Sequence, residues 1–273
     1  MLHLPGQARM LSTDLLAYFR RVSAEPFTVV DVETTGHQPH NARITEISVL
    51  QATLADGITV QQTDLVNPQT EVPPQIVKVT GITQAMVDAA QPAATVLPAY
   101  LPMLQSGILT AHNLEFDYSF LRAEFAPLDV SFNRPETEQL CTVQLARLML
   151  PDLPSRSLPN LVKHFQFPVG ESHRAAADAI ACWLLAERLL TEILNEDDDL
   201  LLKRFAQQWI SLKAAATLLR CPTAAAKSRL ETAGVTGRPV GRGESATTMY
   251  RRGAVERIVE PIASAVQLSI FDA

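Results

Sequence analysis

The run FTVVDV at Phe27–Val32 constrains this chain more than any other stretch. It is β-branched and apolar, the composition of a buried strand, yet it ends on Asp31 and is followed by Glu33. Side chains two apart on a strand leave from the same face, so these two carboxylates converge. Two acids on one face repel and are costly to ionise together unless a cation sits between them. Hard oxygen donors of this kind favour Mg²⁺ or Mn²⁺. Taken alone, the D-x-E pattern also fits an ordinary strand end with two solvated acids.

The flanking sequence supplies the rest of a sheet. Arg43–Leu54 (RITEISVLQATL) alternates as a second strand, and Asp56-Gly57 signals a hairpin into a third, ITVQQTDLV. Helical stretches follow around Gln84–Ala89, Ala94–Gln105, Phe116–Phe125, Thr142–Leu150 and Leu158–Phe165, with Ile108–Ala111 a short buried strand among them. Leu11, Leu15, Leu16 and Phe19 have helical spacing, so a helix over residues 7–22 precedes the first strand. A long helix rich in strong helix formers runs from Ala175 to Leu194 and stops at Asn195 and the acidic run Glu196–Asp199. Antiparallel-leaning strands followed by alternating helices and strands imply a mixed α/β sheet.

The chain has 273 residues, 47% hydrophobic and 19% charged, the balance of a soluble globular protein with an ample core. No apolar run is long enough to predict a membrane span, and the first residues lack the pattern of a signal peptide. Cys141, Cys182 and Cys221 are too far apart for a disulfide framework or a zinc knuckle, which fits a reducing cytoplasm. The net charge of −6 conceals a division. Residues 1–199 hold 12 Lys and Arg against 24 Asp and Glu, whereas residues 200–273 hold 11 against 5. The acidic run is therefore the expected domain boundary, although a solvated helix end explains it equally.

Two further motifs bring acids toward the first. In AHNLEFD, a strand end turns into a helix that Asp117 is expected to begin, where a carboxylate suits the helix dipole. A plain capping aspartate is the alternative, and His112 reads equally as a satisfied, partly buried histidine. In HRAAAD, His173 and Asp178 would lie about 140° apart if both were helical. They face one site if His173 sits in the loop and Asp178 inside the helix. Ala175–Ala177 would let that helix approach the sheet closely, while Arg174 reads as solvated.

In order and spacing these motifs resemble the DEDDh 3′→5′ exonuclease family, which includes the proofreading epsilon subunit of bacterial DNA polymerase III. Asp31 and Glu33 match within DVETTG, Asp117 within AHNLEFD, and His173 and Asp178 within HRAAAD. RITEISVL, VTGITQAMV and CTVQLARLMLP before SLPNLVKHF also resemble family segments. The resemblance covers roughly residues 25–195 and implies a ribonuclease-H-like mixed sheet flanked by helices. It further implies two divalent cations, Mg²⁺ or Mn²⁺, held by Asp31, Glu33, Asp117 and Asp178, with His173 taking a proton from the attacking water. Thr34, Thr35 and Gly36 are implied contacts of the terminal nucleotide, with His112 and Asn113 weaker candidates. The expected substrate is single-stranded DNA with a free 3′ end, in replication proofreading or repair, with a replicative polymerase as a partner. An RNA-directed exonuclease is the alternative within the enzyme class. A DNA-binding accessory protein with a vestigial nuclease domain is the alternative outside it.

The basic back part, residues 200–262, contains LKAAATLL, the turn Arg220-Cys221-Pro222-Thr223 and the stretch Ala224–Ala233. With Thr223 as N-cap this outlines a helix-turn-helix, followed by a glycine-rich loop with Arg238 and Arg242. It is similar to small winged-helix modules of the excisionase and MerR-like type. That likeness implies a mainly helical domain presenting Lys227, Arg229, Arg238 and Arg242 to DNA. A protein-docking domain with a solvated basic face is the other reading. In the tail, residues 263–273, Gln267-Leu268-Ser269-Ile270-Phe271 resembles the clamp-binding peptide of bacterial replication proteins, which implies a sliding clamp as partner. The expected organisation is an N-terminal helical extension (1–24), the nuclease domain (25–195), the basic domain and the tail.

Overall fold

The computed structural model describes residues 9–170, 173–241 and 247–259. The chain divides into two compact units. One comprises Arg20–Ala146 and Pro154–Leu194; the other comprises Met1–Phe19, Arg147–Leu153 and Asn195–Ala273.

Helix α1 (Ser12–Val22) leads into β1 (Phe27–Thr34), β2 (Ile44–Thr53) and β3 (Gly57–Leu65), a meander of antiparallel strands. After α2 (Pro74–Thr80), α3 (Gln84–Asp88) and α4 (Ala93–Leu104) come β4 (Ile108–Ala111), α5 (Leu114–Phe125) and β5 (Gln139–Cys141). β4 and β5 add in parallel, giving the sheet order β3-β2-β1-β4-β5. Helices α6 (Thr142–Met149), α7 (Leu158–Phe165) and α8 (Ala175–Asn195) follow. The result is a mixed α/β sheet flanked by helices.

β1 is central, and Phe27, Val29 and Val30 are fully buried in it. Phe27 meets Trp183 of α8 with ring centroids 5.5 Å apart. Ala175, Ala179, Cys182 and Ala186 are also fully buried along α8, so small side chains line the packed face of that helix. β2 does not alternate as its sequence suggests. Apart from Gln51 and Thr53 it is buried throughout, including Thr45, Glu46 and Ser48, because it has strands on both edges and helices against its faces. β3, the edge strand, is largely exposed, which fits its polar composition.

Arg134 organises the turn between α4 and β4. Its guanidinium, with a side chain only 4% exposed, donates to the carbonyl oxygens of Leu104 (2.7 Å), Ser106 (3.2 Å) and Gly107, and pairs with Glu138 at 2.9 Å. Gly107 has φ +55°, and a Cβ there would lie 2.5 Å from the carbonyl oxygen of Pro26. The turn thus needs both a glycine and a multivalent donor.

The second unit contains α9 (Asp198–Ala206), β6 (Trp209–Ser211), α10 (Leu212–Leu218), α11 (Thr223–Thr232), β7 (Arg238–Val240), β8 (Thr247–Arg251) and helical residues 252–259. Its strands form an antiparallel sheet in the order β6-β8-β7. The acidic run is not only a boundary. Asp197 occupies the N-cap position of α9, and Asp198 and Asp199 fill its first turn, where the helix dipole favours negative charge. Pro222, not Thr223, occupies the N-cap position of α11.

The start of the chain belongs to this unit rather than standing as a separate extension. Leu11 packs on the core formed by Ile210, Ala215, Leu218, Leu230 and Tyr250. The Ser12 amide and hydroxyl donate to Glu256, and Arg252 donates to Glu256, to the Ser12 hydroxyl and to the Met10 carbonyl. Contacts spanning more than 240 residues leave no trace in local periodicity.

Arg134→Met should destabilise the protein by about 3 kcal/mol, because it leaves the carbonyls of Leu104, Ser106 and Gly107 without their buried charged donor. A urea unfolding midpoint equal to that of the parent protein would show that the turn does not depend on this guanidinium.

Candidate active site

The site forms where the central strand outruns its neighbour. β1 and β4 pair in parallel only across Phe27–Val29 and Ile108–Thr110, and β4 ends at Ala111 while β1 continues to Thr34. The amide of Val32 therefore lacks a strand partner on that side, and it donates instead to Asp117 Oδ1 at 3.1 Å. A crevice at the carboxyl ends of parallel strands is the usual place for a ligand in α/β sheets.

Three elements bring side chains there. Asp31 and Glu33 come from β1, and Asp178 from the first turn of α8. Ligand oxygens of these three carboxylates lie within 4.8 Å of one another. Asp117, almost fully buried at 3% exposure, lies beside them but outside that group of three, tied to Val32. It does not begin its helix. α5 starts at Leu114 after Asn113, whose φ of 82° makes the turn out of β4, and Asp117 falls in the first turn. Asparagine tolerates this left-handed conformation better than most residues.

His173 precedes α8 in the loop, with φ 65° and an exposed ring. Its backbone N–H donates to Asp178 Oδ2 at 2.9 Å, fixing that carboxylate as the helix begins.

The electrostatics are those of a crowded acidic site. Burial holds Asp31 well above the usual carboxylate range, and the nearby Asp117, Asp178, Glu33 and Glu46 push it further. Glu33 is raised to about 7 by burial and then by Asp178 and Glu46, with Arg174 opposing. Asp117 rises to about 8, mainly through burial, against the stabilising Val32 amide. Asp178 is also raised by burial, against the His173 amide. These acids cannot all ionise near neutral pH without added positive charge. A close set of hard carboxylate oxygens that the protein leaves unneutralised fits a divalent cation.

Two buried glutamates that sequence reasoning passed over hold the site's flanks. Glu46, directly opposite Glu33 across β1 and β2, is 1% exposed. It accepts two bonds from Arg174 (2.6 and 3.2 Å) and one from the Ala175 amide (2.9 Å). Arg174, expected to be solvated, is thus the counter-ion that ties the start of α8 to the sheet. Glu124 of α5 does the same beyond the first motif, accepting from Arg43 at 2.8 and 2.7 Å and from the Ile44 amide at 3.2 Å. For Glu46 the available signal was a charge inside the uncharged β-prone run ITEISVL, since a buried charge requires a partner.

Among the other predicted residues, Thr34 and Thr35 are 7% exposed. The Thr34 hydroxyl donates to the Gly36 carbonyl, and the Thr35 hydroxyl accepts from the Arg43 amide. Gly36 is partly exposed, and a Cβ there would meet Ala42 Cβ at 3.3 Å. Asn113 is exposed. His112 uses both ring nitrogens inside the fold, bonding the Thr142 hydroxyl and the Arg156 carbonyl at 2.9 Å each. It is a strut between segments and has no ring nitrogen left for a substrate. In the second unit, Lys227 lies 3.9 Å from Glu231 on an exposed face, Arg229 donates to the Leu219 carbonyl, and Arg238 is exposed. Arg242 and Gln267–Phe271 lie outside the described residues.

The chain is similar to known exonucleases over this same region. It is 30% identical over 172 residues to the DNA polymerase III subunit epsilon of Aquifex aeolicus (strain VF5), covering 62% of this chain and 81% of that protein. It is 30% identical over 194 residues to the 3′-5′ exonuclease DinG of Bacillus subtilis (strain 168), covering 70% of this chain and 20% of that one. Of several other curated relatives the chain spans only 11% to 27%. E. coli exonuclease I in complex with a dT13 oligonucleotide shares the fold, with a TM-score of 0.54 and 20% identity over 61% of this chain and 41% of that one. Residues 28–185, which span every motif from β1 into α8, match the exonuclease family RNase_T, and the chain belongs to that family.

Proposed function

We propose that this nuclease is a two-metal 3′→5′ exonuclease of the DEDDh type that trims DNA ends and releases nucleoside 5′-monophosphates. The observation that carries the reading is the convergence of Asp31, Glu33 and Asp178 at the open end of β1, unneutralised by the protein. Asp31, Glu33 and Asp178 would hold the cations, with Asp117 as a further carboxylate beside them. Bound divalent ions supply Lewis-acid activation and stabilise charge on the attacking and leaving oxygens of a phosphodiester displacement.

The remaining steps belong to the chain. Histidine exchanges protons near neutral pH, and the exposed ring of His173 on the loop before Asp178 can receive one from the attacking water. The water oxygen bonds to phosphorus, the bond from phosphorus to the 3′ oxygen breaks, and the shortened strand leaves with a 3′ hydroxyl. The segment Thr34–Gly36, held by Arg43, contacts the terminal nucleotide. DNA as substrate is supported by similarity to a polymerase III epsilon subunit. A replication or repair setting, with polymerase and sliding clamp as partners through Gln267–Phe271, extends the same reading.

Asp31→Asn and Asp178→Asn should each abolish metal-dependent release of 5′-nucleotides from single-stranded DNA while the circular dichroism spectrum stays unchanged. Activity persisting in both purified variants would falsify the site. His173→Ala should lower kcat by about 10²–10⁴-fold with little change in Mn²⁺ affinity. A large loss of Mn²⁺ affinity would instead make His173 a ligand.

The raised acids also predict a pH dependence. A carboxyl whose pKa is higher folded than unfolded binds more protons when folded, so stability falls as pH rises between the two values. For Glu33 that interval runs from 4.5 to about 7. In EDTA, Glu33→Gln should therefore be more thermostable than the parent protein above that interval and similar below it. Mn²⁺ should raise the melting temperature of the parent more than that of the variant. Equal melting curves for the two proteins at high pH in EDTA contradict the electrostatic account.

A further inference from the structure

A second charged cavity, lying wholly within the other unit, has no role in the chemistry above. It has a volume of about 670 Å³, and its lining includes Arg9, Lys213, Thr217, Arg220, Cys221 and Thr223. No carboxylate lines it among the described residues. Three cations reach it from three parts of the chain. Lys213 stands in the first turn of α10, Arg220 in the turn between α10 and α11, and Arg9 in the segment preceding α1. All three are exposed, and none is ion-paired among the described residues. Some basic side chains elsewhere in the unit are engaged, with Arg252 buried against Glu256, Lys227 near Glu231 and Arg229 donating to the Leu219 carbonyl, whereas Lys203, Arg238 and Arg257 are exposed but do not line this cavity.

The backbone gives an independent indication. Arg220 has φ 52°, and the Cys221 amide donates to the Ala216 carbonyl at 3.1 Å. This is the helix-ending motif in which the left-handed position is usually glycine. A side chain there costs about 1 kcal/mol. The chain carries an arginine at that position, and the arginine lines the cavity. Arg9 is equally well placed: its neighbours Met10 and Ser12 are bound to Arg252 and Glu256, so the start of the chain is held against this unit.

We propose that Arg9, Lys213 and Arg220 form a binding site for the phosphodiester backbone of a nucleic-acid strand. Three cations without an ion pair among the described residues, around a cavity with hydroxyl neighbours, suit the phosphates of a nucleic-acid backbone, which supply most protein–nucleic-acid hydrogen bonds whatever the sequence. The excess of basic over acidic residues after position 200 points the same way, with 11 against 5. The lining of this site does not include Lys227 or Arg229. It rests on the exonuclease reading only in taking the same class of polymer, and the two can fail separately.

The test uses the full chain and three variants, Arg9→Ser, Lys213→Ser and Arg220→Gly. Anisotropy of fluorescein-labelled oligo-dT, and of a duplex of equal length, is measured in EDTA over a series of salt concentrations. Each substitution should weaken binding by about threefold and reduce the salt slope by about 0.7 for a single strand. Arg220→Gly should do so while its melting temperature stays equal or rises, because glycine relieves the left-handed strain. A structural role alone does not produce that pairing. Hydrolysis of a chromogenic thymidine 5′-monophosphate ester should be unchanged in all three variants; its absence in the parent protein would count against the exonuclease reading, not against this site. The arm, strand or duplex, in which the substitutions act identifies the form of polymer bound. Unchanged affinity and slope in both arms overturn the proposal. So does inorganic pyrophosphate binding through these residues with oligonucleotide affinity unaffected, which makes the cavity a small-anion site.

Discussion

Burial of a crowded set of carboxylates is the constraint on which the nuclease unit depends. Asp31, Glu33, Asp117 and Asp178 gather where β1 runs past the end of β4; burial raises the pKa of each, and repulsion from neighbouring acids, Glu46 among them, adds to it. A flexible scaffold would relax by moving these groups apart. This one cannot, because Asp31 and Glu33 lie on a strand anchored by Phe27 against Trp183, and Asp178 lies on the helix that carries Trp183. The cluster is therefore formed in advance of any cation, and protons relieve its charge where no cation does.

Buried glutamates paired with partly exposed arginines supply that rigidity. Glu46 and Glu124 each accept a two-pronged arginine and a backbone amide at the start of the following or facing element. Arg134 plays the converse part, one buried cation collecting the carbonyls of a turn. Desolvation offsets much of the attraction in such pairs, so their net contribution to stability is small. Their directional bonds do fix geometry. Glu46 matters most, since it lies opposite Glu33 and its partner Arg174 adjoins His173. One pair thus sets the third motif against the sheet that carries the first and partly counters the negative charge on Glu33.

The second unit is assembled from both ends of the chain. Arg252, buried and with its pKa lowered by desolvation, is stabilised by Glu256 while it binds Met10 and Ser12. The earliest described residues thereby become part of a basic unit dominated by late sequence. Arg9 joins Lys213 and Arg220 around one cavity only because of this closure.

Much of the candidate site's geometry was legible in the chain. A β-branched run ending in Asp-Val-Glu determines two convergent acids at a strand end, because a strand repeats every two residues and its apolar part must be buried. A loop position for His173 and a helical one for Asp178 were the condition for both to face one site, and these are the positions they occupy. Local signals also located most helices and strands. They failed where a partner is remote. Arg174 looked solvated because Glu46 lies 128 residues away, the satisfied reading of His112 could not be chosen because Thr142 and Arg156 lie far along the chain, and Asp117 looked like the start of a helix because the Val32 amide it accepts from belongs to a remote strand. The sequence by itself determined which residues can carry the chemistry. Only the tertiary structure decided which of them are already bound within the fold and which are left to bind a ligand, because the groups that neutralise a buried polar atom are set by three-dimensional proximity rather than by neighbours in the chain.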